Sequence, residues 1–199
     1  MFSGLLNAVA RFLISRMKMT SRPLALTAFL GLLALLYAGA LRADSPTTFR
    51  VSDFSFTRPA SWEWVEVTSP MRKAQLKVVD AKTKSSAEVI FFHFGSGSGG
   101  GTKANVDRWL GQFQEPREKI NAKIEEATIG KHKVTYVQAE GTYKSGMPGG
   151  PQTPMPGYAL AGAIIEAEGG SVFVRMTGPK ALADASLSDF KKMIEGALK

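Results

Sequence analysis

Between residues 44 and 199 the chain carries about eight strand-like segments but only two strong helical stripes. That ratio excludes a doubly wound parallel sheet, which needs a crossover helix between successive strands. It predicts an α+β domain over residues 44–199, an antiparallel sheet flanked by helices as an α/β/α sandwich. Strand expectations rest on period-two alternation. A hairpin-like region spans Phe49–Phe56, and Trp62–Val67 and Ala74–Val78 alternate. Ala87–Phe94 is apolar on both faces apart from Glu88 and His93, as a central strand requires. Further strands are expected at Lys119–Ala127, Lys133–Lys144, Tyr158–Glu168 and Val172–Thr177, the last two joined at Gly169-Gly170.

The first helical stripe is Val106, Trp109, Leu110 and Phe113, with Thr102 as expected N-cap and Pro116 as its end. The closing helix is expected to start at Ser186-Leu187-Ser188-Asp189, a capping-box pattern, and to bury Leu187, Phe190, Ile194 and Leu198. Between Gly146 and Gly157, Pro148, Pro151, Pro154 and Pro156 predict a loop rather than a central strand.

Residues 1–43 read as an export segment. Leu24–Ala40 is uncharged and follows Lys18 and Arg22, the orientation that sends the following chain across a membrane. Cleavage is expected after Ala40 or Ala43, and an uncleaved anchor over residues 24–40 is the alternative; in both cases the domain is exported, to periplasm or extracellular space. Met17 or Met19 would begin a signal of ordinary length, as an alternative to Met1.

Charge is placed accordingly. The chain carries a formal +8, yet its first 43 residues hold five bases and no acid, leaving 20 bases against 17 acids, about +3, in the remainder. The basicity is targeting chemistry, and no nucleic-acid partner is expected. With no cysteine there is no disulfide framework, thiolate metal site or catalytic thiol.

The chemical motifs are few. Gly95, Gly97 and Gly100 match G-x-G-x-x-G between strand and helix, but no βαβ alternation surrounds them and no Gly-Lys-Ser/Thr follows. His93 reads as a core residue and His132 as a solvated turn residue. Two histidines without H-E-x-x-H or H-x-H nominate no metal site, and no G-x-S-x-G is present. Glu125 and Glu126, being adjacent, point to opposite faces of a strand and share no substrate. No cofactor is expected.

The polar candidates are Asn105, Arg108 and Gln112, which align at i, i+3 and i+7 on one helix face. They read either as structural pairings or as a contact surface beside the glycine loop. Trp62 and Trp64 share a strand face and read either as core packing or as a ligand platform.

Pro59-Ala60-Ser61-Trp62, Ser69-Pro70-Met71-Arg72, the Asn105–Phe113 helix and Thr177-Gly178-Pro179 carry a resemblance. In this order of elements the chain, over about residues 48–199, resembles the PsbP-like superfamily, which includes the extrinsic lumenal subunit of photosystem II and a Ran-binding nuclear-import factor. It also looks like a group of uncharacterised exported bacterial proteins. The resemblance implies an antiparallel sheet between helices and binding or assembly roles without catalysis; it carries over no functional residue. The resulting expectation is an exported binding or accessory module contacting a protein or envelope component through Asn105, Arg108, Gln112 and the Gly146–Gly157 loop. The alternative is an envelope enzyme or small-anion carrier using the glycine loop and Arg108.

Overall fold

The structure, a computed structural model, describes residues 45–146 and 150–199. The export segment expected over residues 1–43 and Pro148 of the expected loop lie outside them. Among the described residues nine strands and two α-helices follow in the order β1 (Thr48–Val51), β2 (Phe54–Thr57), β3 (Glu63–Trp64), β4 (Arg72–Val79), β5 (Ser86–His93), α1 (Thr102–Leu110), β6 (Lys123–Ile129), β7 (His132–Gly146), β8 (Gln152–Ile165), β9 (Val172–Pro179) and α2 (Lys180–Gly196). Strands β1 and β2 pair as a separate hairpin, and the other seven form one sheet in the order β3-β4-β5-β9-β8-β7-β6. Every pairing in that sheet is antiparallel.

Alternation decides the layers. Leu76, Val89, Phe91, Val174 and Met176 turn to one face, where they meet Phe190, Met193 and Ile194 of α2 and the phenylalanines of the β1–β2 hairpin. Val137, Leu160, Ile164 and Phe173 turn to the other face, under Val106, Trp109 and Leu110 of α1. Helices on both faces of an antiparallel sheet are the expected α+β architecture. Gly162 of β8 admits the indole of Trp109, because a Cβ there would fall 2.6 Å from Trp109 Cε3. A tryptophan wedged at that point holds α1 close to the sheet.

Several element boundaries differ from expectation, each for a local reason. Helix α1 ends at Leu110, not at Pro116, because the next residues bond to β7: Lys144 N–H donates to Gln112 O at 2.7 Å and Gln114 N–H to Thr142 O at 2.9 Å. Its N-cap is Gly101, and Thr102 instead donates its hydroxyl to Glu166 Oε1 at 2.8 Å. Helix α2 starts at Lys180, six residues before the capping-box pattern. Ser186 lies inside it, buried, with its hydroxyl donating to Leu182 O at 2.7 Å; Pro179, with φ already near the helical value, supplies the start.

The strand expected over Trp62–Val67 is only Glu63–Trp64, and the one expected from Lys119 starts at Lys123 after a short 3-10 turn at Arg117–Lys119. Strand β8 runs through Pro154 and Pro156, against the loop expected there. The reason is positional. Residues 152–155 pair with β7, Pro156 and Gly157 fall in a register shift, and pairing to β9 begins only at Tyr158, so this stretch is an edge, where proline is tolerated.

Candidate functional site: three arginines held by amides

Helix α1 is nine residues long and packs on β7 and β8. The same face of β4, β5 and β9 is only partly covered: Ile90 and Phe173 are buried, and half-buried polar side chains stand around them. Register fixes what it presents: Gln75 stands opposite Ile90, which stands opposite Arg175, and Arg72 stands opposite Phe92. Gln75, Phe92 and Arg175 are half-buried and Glu88 is exposed.

Arg175 lies on β9, the middle strand of the seven. Its Nη1 donates to Gln112 Oε1 at 2.8 Å, and the Tyr143 hydroxyl donates to the same oxygen at 3.0 Å. Arg175 Nε is buried without a hydrogen-bond partner among the described residues. Burial holds Tyr143 above its ordinary pKa, reinforced by Glu88 and opposed by Arg175, so the phenol stays a neutral donor. Gln112 reaches this network because the chain leaves the helix at Gly111 and runs beside β7.

The second arginine repeats the arrangement. Arg108 Nη1 donates to Asn105 Oδ1 at 3.0 Å. Asn105 is itself 3% exposed, and its Nδ2 donates to Gly99 O at 2.9 Å and Gly101 O at 3.0 Å. One buried amide therefore ties the glycine loop to α1 and holds the guanidinium above it. In the third case Arg72 Nη1 donates to Gln75 Oε1 at 2.6 Å, and Gln75 Nε2 donates in turn to Glu88 Oε1 at 3.2 Å.

These three guanidiniums differ electrostatically from the chain's other paired cations. Arg117 bridges to Asp107 at 3.0 Å and Lys191 to Glu125 at 2.8 Å, whereas Arg72, Arg108 and Arg175 have no carboxylate within ion-pair distance among the described residues. An amide oxygen orients a guanidinium but leaves its charge uncancelled. The arrangement is a face on which three oriented guanidiniums outnumber the one carboxylate of the network, Glu88. At one end it is bordered by Phe92 and Phe94, stacked at 6.2 Å, and Phe94 is 41% exposed.

The sequence candidates divide accordingly. Asn105 and Gln112 are positioning residues, and Arg108 projects outward beside the loop. Trp62 is 2% exposed and precedes β3, so it belongs to the core and meets no ligand; it shares no open platform with Trp64. Trp64 is half-buried against Phe49, with its indole N–H donating to Glu66 Oε1 at 3.0 Å. His93 is half-buried at the end of the interior strand β5, hydrogen-bonded to Gly169 O at 3.1 Å, rather than a core residue. His132 packs edge-on against Phe54 at 4.9 Å and bonds Glu166 O at 3.3 Å, rather than standing free in a turn. The glycine loop follows β5, whose neighbours are both antiparallel, so the geometry of a dinucleotide fold is absent there.

Arg175, Tyr143 and the Arg72–Gln75 pair were not legible as sites in the sequence. The available signal was Arg175 itself, a charge inside the otherwise apolar Val172–Met176 run.

No protein-family model matches the chain, and no curated protein matches it. Among solved structures it is similar to the cyanobacterial PsbP of Synechocystis sp. PCC 6803, at 13% identity and a TM-score of 0.46, covering 78% of this chain and 93% of that one. It is also similar to a protein of unknown function from Pseudomonas aeruginosa, at 12% identity and a TM-score of 0.37, covering 75% of this chain and 93% of that one. Both likenesses concern the fold.

Proposed function

We propose that the protein is an exported, non-catalytic binding module that docks an acidic segment of a partner protein on the partly covered sheet face beside α1. The observation that carries this reading is that Arg72, Arg108 and Arg175 are all held by side-chain amides and not by carboxylates. Charge left uncancelled on a preformed surface favours an anionic partner and speeds its encounter. Arg175 is the expected anchor, because its half-buried guanidinium is fixed by Gln112 and carries a charge that no carboxylate cancels. Export is supported by the uncharged Leu24–Ala40 run behind Lys18 and Arg22.

The test is fluorescence anisotropy with labelled Glu/Asp-rich, neutral and Lys-rich peptides at several salt concentrations. The reading expects binding of the acidic peptide alone, weakened by salt and at least tenfold by the Arg72→Gln/Arg108→Gln/Arg175→Gln triple variant, with Tm changed by only a few degrees. Equal binding of all three peptides overturns it. A free dicarboxylate that binds as tightly as the peptide would convert it to the small-anion carrier alternative.

A further inference from the structure

On the opposite face of the sheet a cleft of about 670 Å³ lies between the first turns of α2 and the β6–β7 edge. It is open because its floor is built from small side chains, Ala159 and Ala161 of β8 and Ala183 of α2. Further along α2 the corresponding space is filled by Phe190, Met193 and Ile194.

The walls are polar, balanced and braced. Lys180 Nζ bridges Glu140 Oε2 at 2.8 Å and Asp184 Oδ2 at 2.5 Å, tying α2 to β7. Asn121 Nδ2 donates to Glu140 Oε1 at 2.8 Å, fixing the lead-in to β6. These bonds hold Glu140 below the usual carboxylate range, so it remains an acceptor, and they raise Lys180, so it remains a donor. Lys123 and Gln138 complete the walls. Two ammonium groups face two carboxylates, so a ligand of either charge gains no net attraction. No aromatic side chain among the described residues lines the cleft, which leaves no surface for stacking a base.

We propose that this cleft binds a short neutral saccharide. A hydroxyl group is donor and acceptor at once, and interleaved ammonium, carboxylate and amide groups satisfy both roles for several hydroxyls together. The alanine floor offers flat apolar contact to the C–H face of a sugar ring. Walls already braced by their own ion pairs lose little freedom on binding, and the volume falls within the range of about 300–1,000 Å³ common to small-molecule sites. The inference is independent of the arginine face.

The experiment is a 15N-HSQC titration of the chain with chitotriose, maltotriose and cellotriose, with a trisaccharide of a uronic acid and one of an amino sugar as charged controls. At least one neutral trisaccharide is expected to shift the amides of Gln138, Ala161 and Ala183. Ala161→Leu, which fills the floor, is expected to weaken it at least tenfold. If that variant fails to fold, the surface pair Lys123→Met/Gln138→Ala carries the same expectation. Arg108→Gln/Arg175→Gln should leave the affinity unchanged. Stronger binding of a charged control, shifts confined to residues away from the cleft, or no shift with any neutral trisaccharide at millimolar concentration would each overturn the proposal.

Discussion

Arg175 and Gln112, 63 residues apart in sequence, are joined by a 2.8 Å hydrogen bond in which a guanidinium on the middle strand donates to a neutral amide oxygen. The same oxygen accepts from Tyr143, so one side chain that follows α1 organises two strands. Replacing it discriminates between charge and positioning. Gln112→Glu gives Arg175 an anionic partner; it is expected to raise Tm by a few degrees, about 1 kcal/mol, and to weaken binding of an acidic peptide. Gln112→Leu leaves two donors unsatisfied and is expected to cost roughly 1–3 kcal/mol. Thermal melts of both variants beside peptide anisotropy check this, and a Gln112→Glu variant that binds the peptide as tightly as the parent would sink the anchor role of Arg175.

A pH prediction follows from Glu115. Its carboxylate accepts from the Thr142 N–H at 3.0 and 2.9 Å and secures β7 beside the segment that follows α1. Bonds from Thr142 hold Glu115 below the usual carboxylate range. A carboxyl with a depressed folded-state pKa contributes stability that is present above its unfolded value, about 4.3, and is lost as pH falls through the folded value. Glu140 and Asp107 share the direction, held down respectively by Lys180 with Asn121 and by Lys103 with Arg117. Tm should therefore be level near neutrality and fall below about pH 4, and the fall should be shallower in Glu115→Gln. Identical acid limbs for parent and variant would contradict it.

How far the sequence could be read depended on whether a pattern was local. The two faces of β4 were legible because alternation is a local consequence of the pleat, and β5 was legible as a central strand because it is apolar on both faces. The length of α1 was not, because its end is set by backbone bonds from Gln112 and Gln114 to a strand some thirty residues away. The β8 prolines misled for a similar reason: whether a proline interrupts a sheet depends on which strands flank it, here β7 alone. Within the site, helical spacing aligned Asn105 with Arg108, and that pair exists. The same spacing placed Gln112 on the helix, whereas it lies beyond the end and meets a residue of β9 that no spacing rule connects to it.

The N-terminal segment yields a prediction on processing. The uncharged run from Leu24 to Ala40 ends in Ala38-Gly39-Ala40, small residues of the type that signal peptidase accepts. Protein purified from the envelope of its own host is expected to show a denatured mass beginning at Leu41 or Asp44. A heavier mass retaining Leu24–Ala40 would mean an anchor, and a cytoplasmic full-length species would contradict export.

The last prediction separates the arginine face from the stability of the sheet. Gly162 lies beneath Trp109 on the α1 side, while Gly178 lies against the other face, where a Cβ would stand 2.7 Å from Ala87 Cα. Gly162→Ala and Gly178→Ala each overpack one face, and each is expected to cost roughly 1–3 kcal/mol. Only the first pushes on α1, which carries Asn105 and Arg108 and delivers Gln112 to Arg175. Acidic-peptide affinity is therefore expected to drop in Gly162→Ala and to hold in Gly178→Ala at equal loss of Tm. If both variants bind alike, the placement of α1 does not govern the face, and the positioning roles given to Asn105 and Gln112 fall with it.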